Sequence, residues 1–212
     1  GMTADLKTWA KNSFASSKSD LFAMFIDRGF DWCKPAGFNS MVTMQSWMFL
    51  SSFEGMRKNL LKDRTISTLA HLGSRAFSEI SGEVVQTAAF VILETRISDY
   101  RPVFSRLVDG NESSKAEALR SNQYRFDQSP QEGFERIPGS PLAYWAGSAI
   151  QDSFLSSENV DKIAPPRIGM MTTDNERFLR RWFEVPFPKI DFSCKSLEDA
   201  RSSSMKWFPY HK

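Results

Sequence analysis

Residues 174–182, DNERFLRRW, hold the densest set of side chains suited to a chemical task in this chain. Arg177, Arg180 and Arg181 stand beside Phe178 and Trp182. Guanidinium forks next to flat rings suit phosphate contacts and stacking on bases. Helical spacing predicts the arginines on one or two helix faces. The competing reading is a solvated helix whose rings face the core, and a formal net charge of only +2 favours neither. His71, in the run LAHL, is the other candidate. A general base needs positioned partners, so a structural histidine with both ring nitrogens satisfied is the ordinary expectation. No serine stands in a G-x-S-x-G elbow, and no G-x-G-x-x-G or Walker loop occurs. Cys33 and Cys194 lack C-x-x-C spacing, so neither a metal site nor a disulfide framework is expected.

These residues need elements to position them. With 212 residues, 41% hydrophobic and 25% charged, the chain can bury a core. Eighteen Phe and six Trp exclude a disordered chain and point to surfaces where rings make the contacts. No run approaches a membrane span and the start lacks a signal-peptide core, so a cytoplasmic protein without a membrane partner is expected. Gly1 ahead of Met2 reads as a residue left by cleavage.

Leu21, Phe22, Phe25, Ile26, Phe30 and Cys33 fall at helical spacing behind Ser17 and Asp20, an acidic variant of the capping box. Pro35 and Gly37 end that helix, and FNSMVTMQ follows as a strand. Ser51 and Glu54 form a capping box ahead of Phe53, Met56, Leu60 and Leu61. RTISTLAHL and EVVQTAAFVILE are two further strands, and the link between them is too short for a crossover helix. The expected class is therefore α/β, with a sheet that ends in an antiparallel pair. YRPVFSRLVD reads as another strand, a short helix lies near residues 116–120, and a further helix starts at about Pro141. Over residues 163–192, four prolines and five positive charges mark a linker and a new module.

Segments from about residue 5 to the end, among them MVTMQSWMFLSSFEGMR, LAHLGSRAFSEISGEVVQTAAFVI, IPGSPLAYW, TDNERFLRRWFEV and KWFPYHK, resemble the PglX-type adenine-specific DNA methyltransferases. These belong to bacterial phage-exclusion (BREX) systems and are related to type IIG restriction-modification enzymes. The resemblance implies a Rossmann-like fold that transfers a methyl group from S-adenosylmethionine to the N6 amine of an adenine flipped out of duplex DNA. The family's glycine-containing donor loop and its Asn-Pro-Pro-Tyr motif do not occur in this sequence. The expectation is the C-terminal half of a methyltransferase sheet over residues 1–137, a connecting helix and linker over 138–163, and the start of a target-recognition region over 164–212. No catalytic residue is assigned within the chain. The resemblance places MVTMQSWMF at the fifth strand, its rings and methionines walling the cofactor and base pockets as well as filling the core.

By the same resemblance, Phe77 matches the aromatic residue that stacks on the flipped base, with a loop anchor packed on the core as the other reading. Thr173, Asn175, Arg177 and Arg181 fall at the start of the recognition region and would face DNA. Where the family usually carries T-G-D-N, this chain has Thr173 in place of the glycine. The implied partners are duplex DNA, the missing N-terminal half or other phage-defence proteins, and a second copy through an exposed sheet edge. The function that follows is a methyltransferase fragment without activity of its own; the alternative is a non-catalytic DNA- or protein-binding module.

Overall fold

The most apolar run, residues 87–93, becomes the inner strand of the sheet that organises the first part of the chain. The computed structural model describes residues 2–79, 85–156, 158, 160–165 and 171–210, in two compact units, Gly1–Glu158 and Asn159–Lys212. In the first unit, β1 (Phe38–Met44), β2 (Thr65–Gly73), β3 (Thr87–Leu93), β4 (Val103–Arg106) and β5 (Arg125–Phe126) form one sheet in the spatial order β1-β3-β2-β4-β5. Phe90 of β3 lies opposite Met41 of β1 and Leu69 of β2, antiparallel to both. β1 and β2 therefore run the same way on either side of a reversed strand. The antiparallel pair expected from the short link between β2 and β3 is present. β4 extends the sheet parallel to β2, and β5 pairs antiparallel with β4.

Around the sheet lie α1 (Ala4–Ser13), α2 (Leu21–Asp31), α3 (Glu54–Asp63), α4 (Glu112–Arg120) and α5 (Ser148–Ser156). The core joins Ile26 and Phe30 of α2, Met56, Leu60 and Leu61 of α3, and Ile66, Leu69, Phe90, Ile92 and Phe104 of the sheet. Phe53, Trp47 and Met48, from the turns between β1 and α3, also belong to it. Most of the aromatic and methionine cluster around the end of β1 is thus core. Phe49 packs against that core and, with Met44, lines a small cavity at the end of the strand.

Several local expectations are corrected. α1, capped by Thr3, was not foreseen. Asp20 precedes α2 but makes no side-chain cap, and Ser17 is fully buried, donating to Asp27 Oδ2 at 2.5 Å. Burial pushes the Asp27 carboxyl up, against the two serine donors that lower it. Ser51 caps nothing with its side chain, because a 3-10 turn over Ser51–Phe53 precedes α3 and the amide of Glu54 already bonds the Ser51 carbonyl. α5 begins at Ser148 rather than Pro141. Residues 141–146 form an irregular strap whose Leu142, Tyr144 and Ala146 enter the interior.

Among the described residues, the second unit is built from short pieces: α6 (Val160–Ile163), α7 (Asn175–Phe178), α8 (Leu197–Ser202), 3-10 turns and a bridge between Ile190 and Trp207.

Candidate nucleic-acid interface

Because β1, β2 and β4 run the same way, their carboxyl ends share one edge of the sheet. Ligands of open α/β sheets bind at such edges. Gln45 follows β1 directly, and His71 lies near the end of β2. The His71 Nε2–H donates to Gln45 Oε1 at 2.7 Å, and its Nδ1 accepts from the Tyr144 hydroxyl at 2.8 Å. The Gln45 amide passes on to Gln86 Oε1 at 2.5 Å. Phe49 packs on the imidazole, and Tyr144 stacks face to face on Phe104 at 4.5 Å.

Burial, with Arg106 and Lys115 adding to it, pushes His71 down to about 4, and burial pushes the Tyr144 phenol up. At neutral pH the imidazole is neutral with both nitrogens engaged, so His71 has no lone pair free to act as a base. Its role is structural. Gln45, Gln86 and Tyr144 lie far apart in sequence and carry no periodic signal that could have linked them to His71.

Next to this network, Met44, Gln45, Ser46, Phe49, Leu50 and Gln86 line a cavity of about 220 Å³. S-adenosylmethionine, the cofactor implied by the resemblance, does not fit these residues. No carboxylate stands among the lining residues to hold a ribose. Gly73, which ends β2 at φ +64°, is filled in by the chain itself: an added Cβ would lie 3.0 Å from Val108 Cα. That turn is packed and offers no cradle for a donor.

Phe77 stands six residues beyond His71 in the loop leaving β2. It is 42% exposed, and among the described residues no other ring contacts it. Phe77 is not among the side chains of the core cluster or those packed against it. The adjacent residues 80–84 lie outside the described residues.

In the second unit, α7 is only four residues long, capped by Asp174 through the Arg177 amide at 3.0 Å. The expected helix over the arginine cluster therefore stops at Phe178, and Arg180 and Arg181 are not on it. Thr173 and Arg177 do come together, lining a cavity of about 640 Å³ with Phe178, Arg180, Lys206 and Trp207. Arg180 and Lys206 flank Trp207 at 5.8 and 5.6 Å from its ring centroid. Three cations line this cavity and, among the described residues, no carboxylate does. Asn175 accepts from the Thr172 hydroxyl. Arg181 lies outside the cavity, its amide donating to Glu184 Oε2 at 2.5 Å and its guanidinium 5.9 Å from the Phe183 ring. Lys206 and Trp207 lie some thirty residues past the arginine cluster, so sequence proximity gives no sign that they join it.

Thr173 has φ +48°, the left-handed region in which a β-branched residue is strained and glycine is not. Thr173→Gly is expected to stabilise the turn by about 1 kcal/mol. Slower amide exchange at Arg177 reads this out, and unchanged or faster exchange refutes it.

The profile of the Eco57I restriction-modification methylase family matches residues 2–77. The adenine-specific methyltransferase BrxX of Escherichia coli O9:H4 (strain HS) is 47% identical over 100% of this chain and 17% of its own length. The adenine-specific methyltransferase PglX of Lacticaseibacillus casei (strain Zhang) is 39% identical over 97% of this chain and 18% of its own. The chain thus spans less than a fifth of the curated relatives it matches. Among solved structures, the type I restriction-modification methyltransferase subunit of Streptococcus thermophilus aligns over 64% of this chain and 33% of its own, with 15% identity and a TM-score of 0.46.

Proposed function

We propose, from the premise that this chain is homologous along its length to a segment of the PglX-type adenine-specific methyltransferases, that it supplies the base-stacking and DNA-contacting parts of such an enzyme. The observation that carries this reading is Phe77, partly exposed in the loop that leaves the carboxyl end of β2, in a sheet whose reversed strand lies between two parallel ones. Stacking an extruded adenine on that ring contributes about 1–3 kcal/mol. The second unit meets duplex DNA, with Arg177 and Arg180 on phosphates and Trp207 available to a base or sugar. Thr173 and Asn175 orient the turn that presents Arg177, and Arg181 reaches phosphate from outside the cavity.

These 212 residues alone transfer no methyl group. Attack by a weakly nucleophilic exocyclic amine needs an oriented S-adenosylmethionine and polar groups on that amine, and no Asn-Pro-Pro-Tyr occurs here to supply them. A complementary segment would restore them. β1 lies at an edge of the sheet, with Phe38 62% and Val42 57% exposed, which favours pairing there with that segment, with another phage-defence protein or with a second copy.

The test is a titration of fluorescent duplex DNA at rising salt. Binding should weaken linearly on a log–log scale, and Arg177→Ala and Arg180→Ala should each reduce the slope by about 1. Calorimetry with S-adenosylmethionine should show no heat. DNA binding that is absent, or a slope that neither variant alters, removes the interface; tight cofactor binding removes the claim of inactivity.

A further inference from the structure

The loop carrying Phe77 is held from a distant part of the chain. Lys115, on α4, is 4% exposed, and its ammonium donates to the carbonyls of Leu72, of Ser74 at 2.5 Å and of Val108 at 3.2 Å. No carboxylate bonds it among the described residues. Burial pushes this ammonium down, so its position is costly unless the carbonyls it satisfies must be held. One turn earlier on the same helix, the Glu112 carboxylate accepts from the amide of Ser78 at 2.7 Å. This bond holds the carboxyl below its ordinary range. Residues 74 and 78 bracket Phe77, so one helix grips the loop on both sides of the ring. α4 is itself fixed by a reciprocal capping box, with the Asn111 side chain accepting from the Ser114 amide and the Ser114 hydroxyl accepting from the Asn111 amide.

The geometry points to α4 as a clamp that presets Phe77 for an unpaired base, with Lys115 and Glu112 as positioning residues. This rests on the reading of Phe77 as the base-stacking ring. A ring already in place stacks without the entropic cost of ordering its loop, so affinity for an extrahelical base depends on side chains that never touch it. Lys115 secures the root of the loop at Leu72 and Ser74, and Glu112 secures its far side at Ser78.

The experiment uses the full chain and a single-stranded oligonucleotide with one 2-aminopurine, an adenine analogue whose emission falls on stacking. Anisotropy reports total binding and quenching reports stacking. Phe77→Ala should abolish the quench. Glu112→Ala, at an exposed helix position where the fold is not at risk, should lower the quench at saturation severalfold while the anisotropy curve stays put. Lys115→Met should do the same. Glu112→Gln, which keeps a carbonyl acceptor, should restore most of the stacking. Without nucleic acid, the Ser78 amide should exchange about tenfold faster in Glu112→Ala. A quench that is absent, or indifferent to Phe77→Ala, overturns the stacking reading and the clamp together. A quench that needs Phe77 yet is unchanged in Glu112→Ala and Lys115→Met overturns the clamp alone.

Discussion

Arg57→Met is expected to destabilise the chain by about 3–5 kcal/mol, the largest effect of any single side chain considered. Arg57 is 1% exposed. Its guanidinium donates to the carbonyls of Trp47 at 2.8 Å, Leu50 at 2.7 Å, Gly139 at 2.7 Å and Ser140 at 3.1 Å. Burial lowers its proton affinity, with nearby Glu54 opposing that shift. Methionine fills similar volume but leaves the carbonyls of Trp47, Gly139 and Ser140 without this donor, while the Leu50 carbonyl keeps the Phe53 amide at 3.1 Å; each such group costs about 1–3 kcal/mol, less where water reaches it. Arg57→Lys keeps the charge but lacks the planar fork, so it should fall between the wild type and Arg57→Met. Urea unfolding measures this, with a constant m-value as the check on two-state behaviour. A loss under about 1 kcal/mol for Arg57→Met would mean that water satisfies these carbonyls instead. The variant should also loosen the strap over residues 141–146, since Gly139 and Ser140 lead into it, and so release Tyr144 from His71.

His71 gives the second large expectation, a loss of stability on mild acidification. Its folded pKa is about 4 against an ordinary 6.5, because burial and the nearby charges of Arg106 and Lys115 disfavour the imidazolium. Between those values the unfolded chain binds a proton that the folded chain does not. Stability is therefore complete above pH 6.5 and falls as the pH drops toward 4. The full difference is about 3 kcal/mol. Asp27 acts in the opposite sense, because its raised pKa lets the folded state keep a proton as the pH falls. His71→Gln isolates the histidine: it should be less stable at pH 7 and lose most of the dependence between pH 6.5 and 4. Urea midpoints across that range decide the matter, and parallel profiles for the two proteins would assign the dependence elsewhere.

The strands β1, β2 and β3 were legible because each is a short apolar run bounded by breakers, and the brevity of residues 74–86 dictated the reversal of β3. Partner choice at long range was not legible. Nothing in residues 103–106 marks them as a parallel neighbour of β2. Pro141 suggests a helix's first position, yet residues 141–146 bury every second side chain, Leu142, Tyr144 and Ala146, from irregular backbone whose Leu142 amide bonds the Met48 carbonyl. Both capping-box readings failed for want of one local fact, the position of the first helical turn. Arg57 was readable in principle, since it shares the face of α3 with Phe53, Leu60 and Leu61, where a charged residue asks for buried partners. At the candidate interfaces, Arg177 was legible from the run of arginines beside rings, whereas Phe77 was reached only through resemblance. The side chains that hold or surround them, Lys115, Glu112, Lys206 and Trp207, come from positions that only the folded chain brings near.

The reversed strand between β1 and β2 also dictates an order of events during synthesis. β1 and β2 do not touch, and β4 and β5 emerge later still. The sheet therefore has no internal pairing until residues 87–93 have left the ribosome, and two apolar strands wait unpaired while some fifty residues separate β1 from its partner. A nascent chain halted before residue 87 should bind chaperones avidly, whereas one halted past residue 93 should begin to resist proteolysis.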